Sequence, residues 1–166
     1  MRILGIDPGT RVVGYGIIET AGSRIAPVTF GVVRARPGDS YAVRLRRIFE
    51  GLTRIVREYR PDEAAIEEAF YGKSVSAALR MGEGRGVAIV AAALQDLPLW
   101  QYSPAEVKKS VVGSGRAHKV QIQEMVRMLL GLPEVPEPQD AADALAVAIC
   151  HSNRPMTSST VPSGAD

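Results

Sequence analysis

Apolar and polar positions change period several times along this 166-residue chain, and each change marks an element. Arg2 to Asp7 is an almost unbroken apolar run closed by the turn formers Pro8 and Gly9, which predicts a buried strand. Val12 to Glu19 predicts its partner, with Gly14 and Gly16 allowing close backbone approach. A third strand is expected within Arg24 to Arg36, ahead of the Pro37-Gly38-Asp39 break. From Ser40 the period becomes helical: Leu45, Ile48, Leu52, Ile55 and Tyr59 share one stripe until Pro61 ends the helix, and Arg44, Arg47, Arg54 and Arg57 between them read as a solvated face. Asp62 to Glu68 predicts a short strand. Ser74 to Gln95 predicts a long helix whose Gly82 and Gly86, four apart, leave one face open to another helix. Leu99 to Tyr102 reads as a last strand, followed by helices at Pro104 to Val112, His118 to Leu130 and Gln139 to Asn153.

Antiparallel-like strands first, then strands alternating with helices, predict an α/β fold with a mixed sheet covered by helices on both faces; periodicity leaves the strand order open. Residues 1–151 form one domain in this reading. Residues 152–166, rich in Ser, Thr, Pro and Gly, read as a disordered tail. The longest apolar run, Val87 to Leu94, is far shorter than the roughly 18 residues of a membrane span. Met1-Arg2 leads straight into a strand-like segment rather than a signal peptide, so a cytoplasmic protein away from membranes is expected. The single cysteine, Cys150, rules out a disulfide within the chain and falls in an alanine-rich helical pattern as a small buried residue.

A net charge of +2 permits nucleic-acid binding without demanding it, so local clustering has to decide. Between Ser103 and Met128, Lys108, Lys119, Lys109, Arg116 and Arg127 stand against only Glu106 and Glu124, a basic stretch that fits either a solvated face or a phosphate-contacting one.

Four acids in three separated segments, Asp7, Glu67, Asp140 and Asp143, interrupt apolar stretches where a charge is costly. Asp7 closes its strand beside a tight turn, where an aspartate either serves a site or caps the turn. Glu67 and Glu68 are neighbours on a strand and point to opposite faces, so at most one of them can join Asp7, and alternation does not choose between them. Asp140 and Asp143 share one helix face near its N-terminus. The first suits the helix dipole, whereas the second, one turn deeper beside Ala146 and Val147, is poorly solvated there unless paired. Gathered together, such carboxylates repel until protons or hard cations intervene, and an all-oxygen set selects Mg²⁺ or Mn²⁺. Two such ions about 4 Å apart can activate a water and stabilise the leaving oxyanion in phosphodiester hydrolysis. No Ser-His-Asp or cysteine pattern competes, and His118 and His151 read as surface or packing residues.

Gly5-Ile6-Asp7-Pro8-Gly9-Thr10 with Gly14-Tyr15-Gly16, then Ala65-Ile66-Glu67, Gly86-Val87-Ala88-Ile89-Val90-Ala91, Val107-Lys108 and Asp140-Ala141-Ala142-Asp143-Ala144-Leu145-Ala146 resemble the bacterial RuvC Holliday-junction resolvases in order and spacing. The resemblance implies a ribonuclease-H-like, five-stranded mixed sheet flanked by helices. It also implies Asp7, Glu67, Asp140 and Asp143 as catalytic ligands of two Mg²⁺ ions, with Mn²⁺ as a substitute, which selects Glu67 over Glu68. Phe70 is implied as the aromatic that stacks on or unpairs bases, and Lys108 and Lys119 as DNA-binding residues, with Lys109 and Arg116 as further phosphate contacts. Four-way junction DNA, a homodimer joined across the Gly82/Gly86 face, and the RuvA-RuvB branch-migration complex are the implied partners, and 5′-phosphate ends the implied product, in recombination and DNA repair. The competing expectation is an actin or sugar-kinase-like phosphotransferase or ATPase, whose first phosphate motif also reads Gly-Ile-Asp-x-Gly-Thr but which needs a second lobe to enclose nucleotide.

Overall fold

The computed structural model describes residues 1–68 and 75–154. Strand β1 (Arg2–Asp7) is buried on both faces from Ile3 to Ile6, which places it at the centre of the sheet. It pairs antiparallel with β2 (Val12–Ala21), Asp7 facing Gly14 and Gly5 facing Gly16, and β2 pairs antiparallel with β3 (Arg24–Arg34). Pro27 is accommodated because β3 is an edge strand, and the ladder shifts register beside it, between Ile17 and Ile18. On the other side of β1, β4 (Glu63–Glu67) and β5 (Leu99–Tyr102) add in parallel, giving the order β3-β2-β1-β4-β5. This is the mixed, five-stranded, ribonuclease-H-like sheet expected from the sequence.

Helices cover both faces. One face packs Leu4, Ile6, Val13, Ile17, Ala64 and Ile66 against α1 (Tyr41–Tyr59) and α2 (Val75–Ala93). The arginines of α1 divide. Arg54 and Arg57 are exposed, whereas Arg47 ties the helix to Asp39 of the preceding loop at 2.7 Å and Arg44 lies 5.2 Å over the Tyr41 ring within the helix's own first turn. The opposite face, with Ile3, Ile18 and Ala65, receives α3 (Pro104–Val112), α4 (Lys119–Leu129) and α5 (Gln139–Ser152).

Helix α5 is buried along nearly its whole length, and its seating on the sheet depends on glycine. A Cβ on Gly5 would stand 2.0 Å from the carbonyl oxygen of Ala144, and one on Gly14 would stand 1.9 Å from that of Asp140. Only bare backbone at these positions lets α5, itself built largely of alanine on its buried side, approach β1 and β2 this closely. Among the described residues no helix is long and apolar enough to cross a membrane. Ser152 closes α5 and Arg154 folds back onto Glu63, while residues 155–166 of the expected tail lie outside the described residues.

Candidate active site

The site is assembled at the carboxyl ends of the parallel strands, where chain turns leave the sheet and open α/β sheets bind their ligands. Ile6 pairs with Ile66, and neighbouring strands run about 4.8 Å apart, so Asp7 and Glu67 end their strands side by side. Side-chain alternation puts Gly5, Asp7, Ala65 and Glu67 on the α5 face of the sheet. Glu68 faces away and is exposed, its amide donating to the carbonyl of Tyr102 at 2.9 Å. The choice left open by alternation thus falls to Glu67 for a structural reason.

Helix α5 supplies the other two acids. It runs parallel to β2, since Asp140 sits over Gly14 and Leu145 over Gly16, and therefore antiparallel to β1 and β4. Its N-terminal turns, with Asp140 and Asp143, consequently lie over the ends of the strands that carry Asp7 and Glu67. Burial pushes Asp7 up to about 8, with Asp143, Glu67 and Asp140 acting in the same direction against Lys119. Glu67 is also raised, first by burial and then by Asp143, while Lys119 and Lys108 oppose the rise. Asp143 is raised by burial and Asp140, against its hydrogen bond to Lys119. The four acids therefore form one electrostatic unit.

Two lysines from neighbouring helices balance it. The α3 N-terminus is held in a capping box: the Glu106 amide donates to Ser103 Oγ at 3.3 Å, and the Ser103 amide donates to the Glu106 carboxylate at 2.8 Å. One turn later Lys108 lines a cleft of about 150 Å³ together with Glu67, Lys119 and Asp143. Lys119 opens α4, and its Nζ lies 2.7 Å from Asp143 Oδ2. Lys109 and Arg116 are exposed and do not line this cleft, Arg116 standing on the loop between α3 and α4; Phe70 lies outside the described residues.

The donor set fits a hard divalent cation in kind: every donor is a carboxylate oxygen, and the burial and mutual repulsion that lift Asp7 are penalties on negative charge that a cation relieves. Among the described residues, however, no three acidic, histidine or cysteine side chains close into a group that would hold an ion, and the Lys119 ammonium serves as the counter-ion of Asp143.

The model of the family "Crossover junction endodeoxyribonuclease RuvC" matches residues 3–151. The chain belongs to the RuvC family. It is 50% identical over 153 residues to the RuvC of Pelotomaculum thermopropionicum, covering 92% of this chain and 93% of that one, and 50% identical over 164 residues to the RuvC of Dehalococcoides mccartyi, covering 99% and 98%. Among solved structures it is similar to Thermus thermophilus RuvC in complex with a Holliday junction substrate, with a TM-score of 0.86 and 34% identity over 92% of this chain and 93% of that one. The kinase-like alternative falls away, because the RuvC family model matches residues 3–151 and RuvC relatives at 50% identity align over nearly their whole length.

Sequence reasoning missed two features of this RuvC chain. Gly84, not Gly82 or Gly86, is the glycine of α2 that packs into the fold: a Cβ there would lie 2.6 Å from the Gly9 carbonyl, whereas nothing approaches Gly82 or Gly86 within 4 Å. His151 is a packing residue as expected, but it also joins a polar network with Glu63, Tyr102 and Arg154. A charged residue opening a buried strand, at Glu63, was the one signal available.

Proposed function

We propose that this RuvC-family chain is a metal-dependent endonuclease that resolves four-way DNA junctions by hydrolysing two opposed strands, leaving 5′-phosphate ends. The observation that carries the proposal is the convergence of Asp7, Glu67, Asp140 and Asp143, from three elements, beside a cleft lined by Lys108 and Lys119. In this reading the four carboxylates hold two Mg²⁺ ions, or Mn²⁺ in their place, and the ions when bound supply an activated water and charge neutralisation at the leaving oxygen. The chain's own contribution is to gather the carboxylates, exclude competing groups and offer cationic side chains to the phosphate. Lys119 holds Asp143 when no cation does and, with Lys108, faces the scissile strand. Lys109, Arg116 and Phe70 are assigned to flanking phosphates and bases.

Paired incision asks for two copies of the site. The outward surface of α2 supports a homodimer: Val75, Leu79, Met81, Val90 and Leu94 are exposed around Gly82 and Gly86, and Leu45, Phe49, Val87 and Val90 line a groove of about 480 Å³ between α1 and α2. A two-fold dimer presents equivalent sites to two strands of a near-symmetric junction. Action in the cytoplasm with the RuvA-RuvB complex completes the proposal.

The test is an end-labelled synthetic four-way junction incubated with protein and Mg²⁺, with linear duplex of the same sequence as control. Symmetric nicks on the junction are expected; equal cutting of both substrates, or of neither, overturns the proposal.

A further inference from the structure

At the end of α5 opposite the acids, a buried polar network ties that helix to the strand that bears Glu67. His151 is fully buried, with Nε2 2.8 Å from Glu63 Oε2 and Nδ1 2.8 Å from the Tyr102 hydroxyl. Arg154 Nη2 lies 2.7 Å from both oxygens of Glu63, and its guanidinium sits 4.1 Å over the Trp100 ring, which also packs 4.8 Å from the imidazole. The partners assign the tautomer: Glu63 is an acceptor held by Arg154, so Nε2–H donates to it and Nδ1 accepts from the Tyr102 O–H. Neither imidazole nitrogen is left unpaired.

We infer that Glu63, His151 and Arg154 form a clamp that fixes the register of α5 on β4 and so holds Asp143 level with Glu67. This makes them positioning residues for the site, and the inference rests on the reading of those carboxylates given above. Distance along the two elements carries the argument. From Asp143 to His151 is eight helical residues, about 12 Å at 1.5 Å each. From Glu63 to Glu67 is four strand residues, about 13 Å at roughly 3.3 Å each, and alternation puts both glutamates on the α5 face. Because α5 runs antiparallel to β4, seating His151 on Glu63 brings Asp143 to Glu67. A slip of one residue would rotate the helix by about 100° and carry Asp143 off the cleft.

The clamp and the glycine cradle hold different stretches of α5. Gly5 and Gly14 meet α5 through backbone at Ala144 and Asp140, and the Leu145 side chain seats over Gly16. That packing sets how closely the helix approaches, and the hydrogen bonds of His151 and Arg154 to Glu63 add directional contacts that belong to one register, which is the best-attested use of buried polar groups. Arg154 also lies beyond residues 3–151, so one arm of the clamp stands outside the stretch that the family match covers.

The test compares wild type with Glu63→Gln, Arg154→Met and Arg154→Lys. The Arg154 side chain is one-fifth exposed, so its truncation spares the core, and Glu63→Gln preserves shape. Mn²⁺ affinity is measured on DNA-free protein by calorimetry, amide exchange is followed over residues 140–144, and junction cleavage is titrated with Mg²⁺. Glu63→Gln and Arg154→Met should each weaken Mn²⁺ binding by up to about tenfold, the lower end of what loss of a direct partner of a metal ligand costs because the clamp acts through helix register, and speed exchange at the start of α5, with partial recovery in Arg154→Lys. Wild-type Mn²⁺ affinity and exchange in both variants, beside a wild type that cuts junctions, overturn the clamp and leave the proposed function standing. A wild type that cuts no junction, beside variants with weakened Mn²⁺ binding, supports the clamp and overturns the substrate assignment.

Discussion

Asp7 ends its strand where four negative groups meet, and burial with Asp143, Glu67 and Asp140 lifts it to about 8. An acid raised in the folded state binds its proton more tightly there than in the unfolded chain. Between about pH 4 and pH 8 the native state therefore holds more protons, and metal-free stability falls as pH rises across that window. Asp7→Asn removes the Asp7 share of this dependence and leaves that of Glu67 and Asp143, which burial also raises. Melting in EDTA should show its Tm at pH 8 above wild type by about 4–8 °C, on the order of 2 kcal/mol, with the gap closing towards pH 4. Mg²⁺ should raise the wild-type Tm at pH 8 and leave the variant unmoved. Single-turnover cleavage by the same variant should fall by more than about a hundredfold, beyond the 10–100-fold typical of an outer partner. A variant that loses activity without gaining metal-free stability would show that Asp7 carries no penalty in the fold.

At the scale of elements, the decisive contact is α5 on β1 and β2. Gly14 faces Asp7 across the ladder and meets the Asp140 carbonyl on its other side, so one bare backbone position sets the spacing between two of the four acids. In Gly14→Ala the methyl meets backbone at 1.9 Å rather than a flexible side chain, and the helix start has to move. The expected cost is about 1–3 kcal/mol or more by denaturant titration, with Mn²⁺ affinity lowered in the fraction that folds. Gly82→Ala is the matching contrast within the single chain: no other part of the chain lies within 4 Å of that position, and alanine is the better helix former by about 0.8–1 kcal/mol, so at concentrations where the protein is monomeric the helix should gain stability. Two Gly→Ala changes of opposite sign in denaturant titrations would separate packing from propensity.

For the whole molecule, the question is how one site becomes two. The α2 face that is exposed in the single chain carries Leu79, Val90 and Leu94, and Val90 also lines the groove against α1. Val90→Lys places a charge in that surface without touching the carboxylates. Light scattering should show the variant as a monomer with an unchanged circular-dichroism spectrum, and junction cleavage should lose the coincidence of its two nicks. A dimer that persists in Val90→Lys would move the interface elsewhere.

Local pattern in the sequence determined the elements almost completely, because a period of two or 3.6 depends only on which face is buried: α1, α3 and all five strands lie within one or two residues of where the pattern puts them. It also brought out the four acids, since each stands where an apolar residue would have been expected. Strand order, the structural preference for Glu67 over Glu68, the pairing of Lys119 with Asp143 and the Glu63–His151–Arg154 network were decided only in the tertiary structure. Each of these joins residues from separate elements, Glu63 and Arg154 by 91 positions along the chain, and periodicity carries no information about which faces meet. That choice came from packing, through the glycine cradle that admits α5 against the sheet.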